Sequence, residues 1–221
     1  MSATIAIVLF KDFEALDVLG PLSLFRAVPT LRTLTVAQEA HPVTTSGGVS
    51  MLPDTTFDAL RDVDVLMVPG GEGIVNALES EATLAWLRDV GSRANYVTSV
   101  CSGSLILGAA GLLRGYRATT HWRSLDLLPL VGAEPVHERI VHDRNRITGG
   151  GVTAGLDFGL TLIAKLCGDE AAQSAQLALE YNPKPPFNAG IPETAPPEAV
   201  RRFVEATIAR QEQRRKLLGK P

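Results

Sequence analysis

Only two cysteines, Cys101 and Cys167, occur in 221 residues. Two make neither a disulfide framework nor a metal-ligand cluster. No stretch reaches the roughly 18 uninterrupted apolar residues of a membrane-spanning helix. Positive charge is not in excess: 21 Lys and Arg stand against 24 Asp and Glu, a formal net charge of -3. That balance argues against an electrostatic nucleic-acid binder and against a polybasic membrane anchor. The start, MSATIAIVLFKDFE, lacks a basic leader and meets acidic residues directly after its apolar run. It reads as a first strand, not a secretion signal, and a soluble cytoplasmic protein is expected. No Walker sequence occurs, and Gly71-Glu72-Gly73 has Asn76 where a dinucleotide fingerprint needs its third glycine, so no nucleotide is expected. There is no internal repeat, no low-complexity tract and no linker dividing the chain.

What is present is an alternation of short apolar β-rich runs with helical patterns. Residues 4–10 (TIAIVLF), 30–38, 63–71 and 95–100 read as strands, and residues 15–28, 73–93, 101–113, about 121–130 and 153–167 as helices. Residues 43–52 read as a hairpin whose turn takes positive backbone angles from Gly47-Gly48, and a strand pair is expected within 133–148. Continuously apolar strands separated by helices predict an α/β fold, a mostly parallel sheet sandwiched by helices. Residues 1–190 are read as this domain and 191–221 as its C-terminal helical extension. The extension follows NPKPPFNAGIPETAPP, whose six prolines predict an extended surface path. Its helix, 198–218, has Val200, Phe203, Val204 and Ile208 on one stripe. Arg214, Arg215 and Lys216 are expected at a solvated or dimer-facing helix end, where cations meet the negative pole of the dipole.

In such sheets ligands bind at the carboxyl ends of the strands. Cys101 stands there, in Val100-Cys101-Ser102-Gly103-Ser104, where a strand gives way to a helix without a linker. So abrupt a turn resembles a nucleophile elbow, and amides and dipole at the helix start favour thiolate. Read locally, Cys101 is either that reactive thiol or a small buried hydrophobe. Asp17, among Leu16, Val18 and Leu19, is either an acid meeting a helix dipole or a desolvated carboxyl with a raised pKa. Were it beside Cys101, the two would share one proton. Pro69-Gly70-Gly71 closes a buried strand, either as a tight turn or as a nest of amides for a developing anion. Gly149-Gly150-Gly151 with Val152 and Thr153 is a second pocket wall or a plain turn. His121 reads as a general base at the pocket or a hydrogen-bonded structural histidine. His137 and His142, five apart in one strand, face opposite sides, and no metal site is expected.

Together, LDVLGP (16–21), DVLMVPGGEG (64–73), YVTSVCSGSLILGAAGLLRGYRATTHW (96–122), ITGGGVTAGLDFGLTL (147–162) and EYNPKPPFNAG (180–190) resemble the ThiJ/PfpI superfamily over nearly the whole chain. That fold is similar to the class I glutamine amidotransferase domain, a flavodoxin-like architecture. Within the superfamily the sequence resembles the isocyanide hydratase subgroup. The resemblance implies a homodimer acting on a small isocyanide, with Cys101 as nucleophile, Asp17 as general acid/base and Ser102 supplying a hydroxyl. That subgroup typically has Thr where Ser102 stands. The strand-end turns read above add Gly70, Gly71, Val152 and His121 as the expected substrate pocket. No metal or organic cofactor is implied, and no nucleic acid or membrane partner.

The protease branch carries His directly after the cysteine; Ser102 there does not support proteolysis. Two other functions use the same thiol. One is a cofactor-free glyoxalase or deglycase attacking a carbonyl carbon; the other is a non-enzymatic sensor in which Cys101 is oxidised to the sulfinate. A transcription regulator is not expected, because 31 residues after 190 are too few for a helix-turn-helix domain.

Overall fold

The computed structural model describes residues 3–219. The chain opens with strand β1 (Ala3–Val8), helix α1 (Ala15–Arg26) and strand β2 (Leu31–Ala37), then three two-residue strands, β3 (Val43–Thr44), β4 (Ser50–Met51) and β5 (Thr55–Thr56). Strand β6 (Val65–Val68) leads into α2 (Ile74–Glu79) and α3 (Glu81–Arg93), and β7 (Tyr96–Ser99) into α4 (Gly103–Ala109). Next come β8 (Arg117–Ala118), a 3₁₀ segment (Trp122–Val131), β9 (Glu134–Pro135), β10 (Ile140–Asp143) and β11 (Arg146–Gly149). Helices α5 (Ala154–Cys167), α6 (Asp169–Ala178) and α7 (Pro197–Leu218) complete the chain.

The seven-stranded sheet has the order β10-β11-β7-β6-β1-β2-β5, parallel except for β10 at one edge. This is the expected architecture, and alternation along the strands explains its two layers. Ile5, Ile7, Val65, Met67 and Ile147 point to one face, packing with Val18, Leu24, Phe158 and Leu162 of α1 and α5. Ala6, Val8, Leu66, Val68 and Val97 point to the other, packing with residues of α2, α3 and α4. Strand order reverses between β1 and β6, so the crevice of this sheet opens beyond their carboxyl ends.

Several expectations are corrected in detail. The stretch read as one helix over 73–93 is two, because Ser80 leaves the helical conformation and its hydroxyl accepts from the Thr83 amide, capping α3. The helix read over 101–113 keeps only seven residues and stops before Gly111, whose φ is +80°. Pro129 sits within the 3₁₀ segment where a helix was expected. In the hairpin, Gly48 alone of the glycine pair has positive φ, +83°. Of the strands within 133–148, β10 and β11 pair with each other whereas β9 pairs with β8. His137 lies outside the strand that holds His142 and meets Glu193.

Candidate functional site

Cys101 occupies a turn that few non-glycine residues adopt. Its φ is +56°, in the left-handed region. The turn is fixed by donation of the Cys101 N–H to the Gly149 and Gly150 carbonyls (3.1 and 2.8 Å) and of the Gly103 N–H to Val100 (3.1 Å). Its own carbonyl accepts from the Thr120 hydroxyl at 3.0 Å. Sequence dictates the tightness: a Cβ at Gly103 would stand 2.2 Å from the Val68 carbonyl oxygen, and one at Gly70 2.6 Å from the Ser102 nitrogen. Strain of this kind costs roughly 1–3 kcal/mol and persists where the surroundings over-determine it. Cys101 thus sits in an elbow between β7 and α4, only 6% exposed.

Asp17, in the first turn of α1, has no exposed surface. Its Oδ2 accepts from the Gly70 N–H at 2.7 Å, and Oδ1 is buried without a hydrogen bond of good geometry among the described residues. Burial pushes its pKa up to about 8; the Gly70 amide opposes this, Glu14 adds to it, and the adjacent Cys101 thiol opposes it. Burial likewise raises Cys101, and the Asp17 charge raises it further. The Ser102 amide, the Ser102 hydroxyl and the Arg214 charge work against that rise. Here the expectation of a lowered thiol pKa is corrected: seven residues of α4 and its dipole do not offset desolvation of the sulfur. Because the Asp17 charge raises Cys101, the two titrate as one pair, with Asp17 pushed up to about 8.

Above the pair lies a cavity of about 240 Å³. Gly71, Cys101, Ser102, His121 and Val152 line it, so five of the seven residues singled out from sequence share one wall, with Asp17 and Gly70 beneath. The Gly70 amide, expected to face an anion, is instead given to Asp17. The Gly71 amide leans on the Ser102 hydroxyl at 3.4 Å, and that hydroxyl lies 4.0 Å from the Cys101 sulfur. His121 is held neutral: burial and the nearby Arg214 and Arg123 charges lower its pKa to about 4. Its Nδ1 accepts from the Arg123 amide at 3.2 Å, which fixes the ring as a cap on the 3₁₀ segment. Among the described residues, no three His, Cys, Asp or Glu side chains gather as metal ligands.

The other wall comes from α7, which sequence reasoning did not place at the site. Phe203, Thr207, Arg210, Gln211 and Arg214 line the cavity. Phe203 stacks on His121 with ring centroids 5.9 Å apart. Of the basic end expected to be solvated or dimer-facing, Arg215 and Lys216 are exposed, but Arg214 is buried, as is Gln211. The inward face runs Val200, Val204, Thr207, Gln211, Arg214, Leu218, alternating steps of four and three. Apolarity marks only its two ends, so the signal available in the sequence was the spacing and not the residue type.

The DJ-1/PfpI family model matches residues 3–165. The isonitrile hydratase of Pseudomonas putida is 49% identical over 200 residues, 90% of this chain and 88% of that protein. The Parkinson disease protein 7 homolog of Danio rerio is 29% identical, over 78% of this chain and 94% of its own. Among solved structures, a ThiJ/PfpI family protein from Pseudomonas syringae superposes with a TM-score of 0.97 at 44% identity, over all of this chain and 92% of the other.

Proposed function

This chain belongs to the DJ-1/PfpI family, and we propose that it is an enzyme adding water to isocyanides to give N-substituted formamides. The observation that carries this reading is the buried Cys101–Asp17 pair, which at moderately alkaline pH holds one proton between a nucleophile and an acid at the floor of a small cavity.

An isocyanide carbon accepts a soft nucleophile but carries no leaving group, so addition must be followed by proton delivery to that same carbon. The Cys101 thiolate forms the C–S bond, and Asp17 gives its proton to the carbon, leaving a thioimidate and a carboxylate. Water then adds to the carbon while Asp17 takes one of its protons and passes it to the nitrogen. In the last step the C–S bond breaks toward sulfur and the hydroxyl proton returns to Asp17. Formamide leaves, and thiolate and acid are restored. Ser102 and the Gly71 amide contribute polarity beside the sulfur, and Val152, His121 and Phe203 shape the space for the substituent. The function is read as that of a homodimer in the cytoplasm, with 191–221 an integral part of the domain.

Production of a formamide from a simple alkyl isocyanide tests the reading directly. Cys101→Ala is expected to abolish turnover, and Asp17→Asn to retain the fold while losing at least about two orders of magnitude in rate. Wild type is expected to show an intact mass raised by one isocyanide during turnover. Full activity in Cys101→Ala would overturn the nucleophile, and a normal rate in Asp17→Asn would remove Asp17 from the proton path. Turnover of methylglyoxal with no formamide formed from any isocyanide would favour the glyoxalase chemistry instead.

A further inference from the structure

Arg214 is 7% exposed and lies in the end of α7 that the sequence predicts to be solvated or dimer-facing. Its Nη2 donates to the Gly71 carbonyl at 3.0 Å, and its Nη1 to Gln211 Oε1 at 3.1 Å and the Ser124 hydroxyl at 3.3 Å. All three partners are neutral, and Nε is buried with no partner among the described residues. A guanidinium taken out of water without a carboxylate is costly to hold. Burial lowers its pKa to about 10, so it stays charged at neutral pH.

The other charged groups around the cavity are accounted for. Glu72 pairs with Arg210 at the rim. Glu14 accepts from the Leu16 amide at the start of α1, and Arg123 donates to Thr207. His121 is neutral and Asp17 is committed to the Gly70 amide. Arg214 is therefore the one buried cation lining this cavity among the described residues, and Cys101 is the group there that gains a negative charge without a buried cation of its own.

We propose that Arg214 is a positioning residue of this site. From α7 it clamps the Gly71 carbonyl, and with its unpaired Nε–H on a cavity-lining side chain it provides the positive charge that the Cys101 thiolate requires. The two groups attract one another across the cavity, so the pair of Cys101 and Asp17 can put its anion on sulfur as well as on carboxylate. The inference rests on Cys101 as the nucleophile, but its test involves no isocyanide.

Alkylation of Cys101 by iodoacetamide, followed by peptide mass from pH 6 to pH 10, reads the thiolate directly. Arg214→Gln is expected to slow alkylation about tenfold across this pH range, the effect of raising the thiol by about one unit. Arg214→Lys, which keeps the charge and loses the fork, is expected to stay within a few-fold of wild type. A wild-type profile in Arg214→Gln would overturn the proposal, as would Arg214→Lys falling with Arg214→Gln. Should those variants not fold, the wild-type protein still decides: the Arg214 Nε–H resonance is expected to shift as Cys101 titrates and to stay fixed in Cys101→Ala. A resonance indifferent to Cys101 would overturn the proposal. An alkylation response without formamide production would leave Arg214 in place and remove only the isocyanide reading.

Discussion

A carboxyl group with no exposed surface and one backbone donor gains little by ionising, and Asp17 is such a group. Because its pKa is pushed up to about 8, the pair with Cys101 holds both protons at low pH and one proton above that value. Attack needs the singly protonated pair, so kcat/KM is expected to rise with pH through about 8. The sign follows from loss of a proton activating the pair, and a stopped assay from pH 6 to pH 9.5 measures it. A rate that is flat or declines over that interval would contradict shared protonation. Cys101 and Asp17 were legible in the sequence as candidates, from an uninterrupted strand-to-helix junction for one and three apolar neighbours for the other, while the resemblance chose between their readings. Arg214 was not legible, since a basic residue near a helix end has the same local pattern whether it meets water or a buried carbonyl such as that of Gly71.

At the scale of elements, strands announced themselves more clearly than what joins them. Residues 65–68 are apolar without a break and 95–100 are rich in β-formers, and these stretches hold β6 and β7. The short β5 and β9 carry no such pattern; each is fixed by a partner strand distant in sequence. Helix α6 escaped notice because it buries only Ala172 and Ala175, too small a stripe to stand out. The elbow shows how one residue sets an element's position. With Gly103 in place, α4 begins against the end of β6, and any Cβ there meets the Val68 and Pro69 carbonyl oxygens. Gly103→Ala is accordingly expected to destabilise the protein by about 3 kcal/mol or more and to displace the nucleophile. Urea denaturation monitored by circular dichroism checks the first effect and alkylation of Cys101 the second. Stability within about 0.5 kcal/mol of wild type would mean that the contact between α4 and β6 yields easily.

At the scale of the whole molecule, large apolar side chains of α1 and of the β3–β4 hairpin are among those left exposed in the described residues. Leu16 and Leu19 of α1 are each 41% exposed, and Val49 and Leu52 at the hairpin of β3 and β4 are 57% and 66% exposed. These two elements are tied together: Ser46 donates its amide to the Phe13 carbonyl at 3.0 Å and its hydroxyl to Glu14, and Phe13 bridges to Thr45. Exposed apolar side chains favour a partner over water at roughly 25 cal/mol per Å² buried. A second copy of the chain is the partner we propose, because a two-fold axis would bring each patch onto its own likeness. Glu14 belongs both to this region and to the rim of the cavity, so association would also brace the mouth of the site. Light scattering behind size exclusion is expected to give wild type twice the 23.6 kDa chain mass, and Leu19→Glu with Leu52→Glu the single-chain mass. The double variant is expected to keep its circular dichroism spectrum and lose kcat/KM through a looser rim. Wild type eluting as a single chain would refute the shared surface, and a fully active monomer would separate that surface from the site it borders.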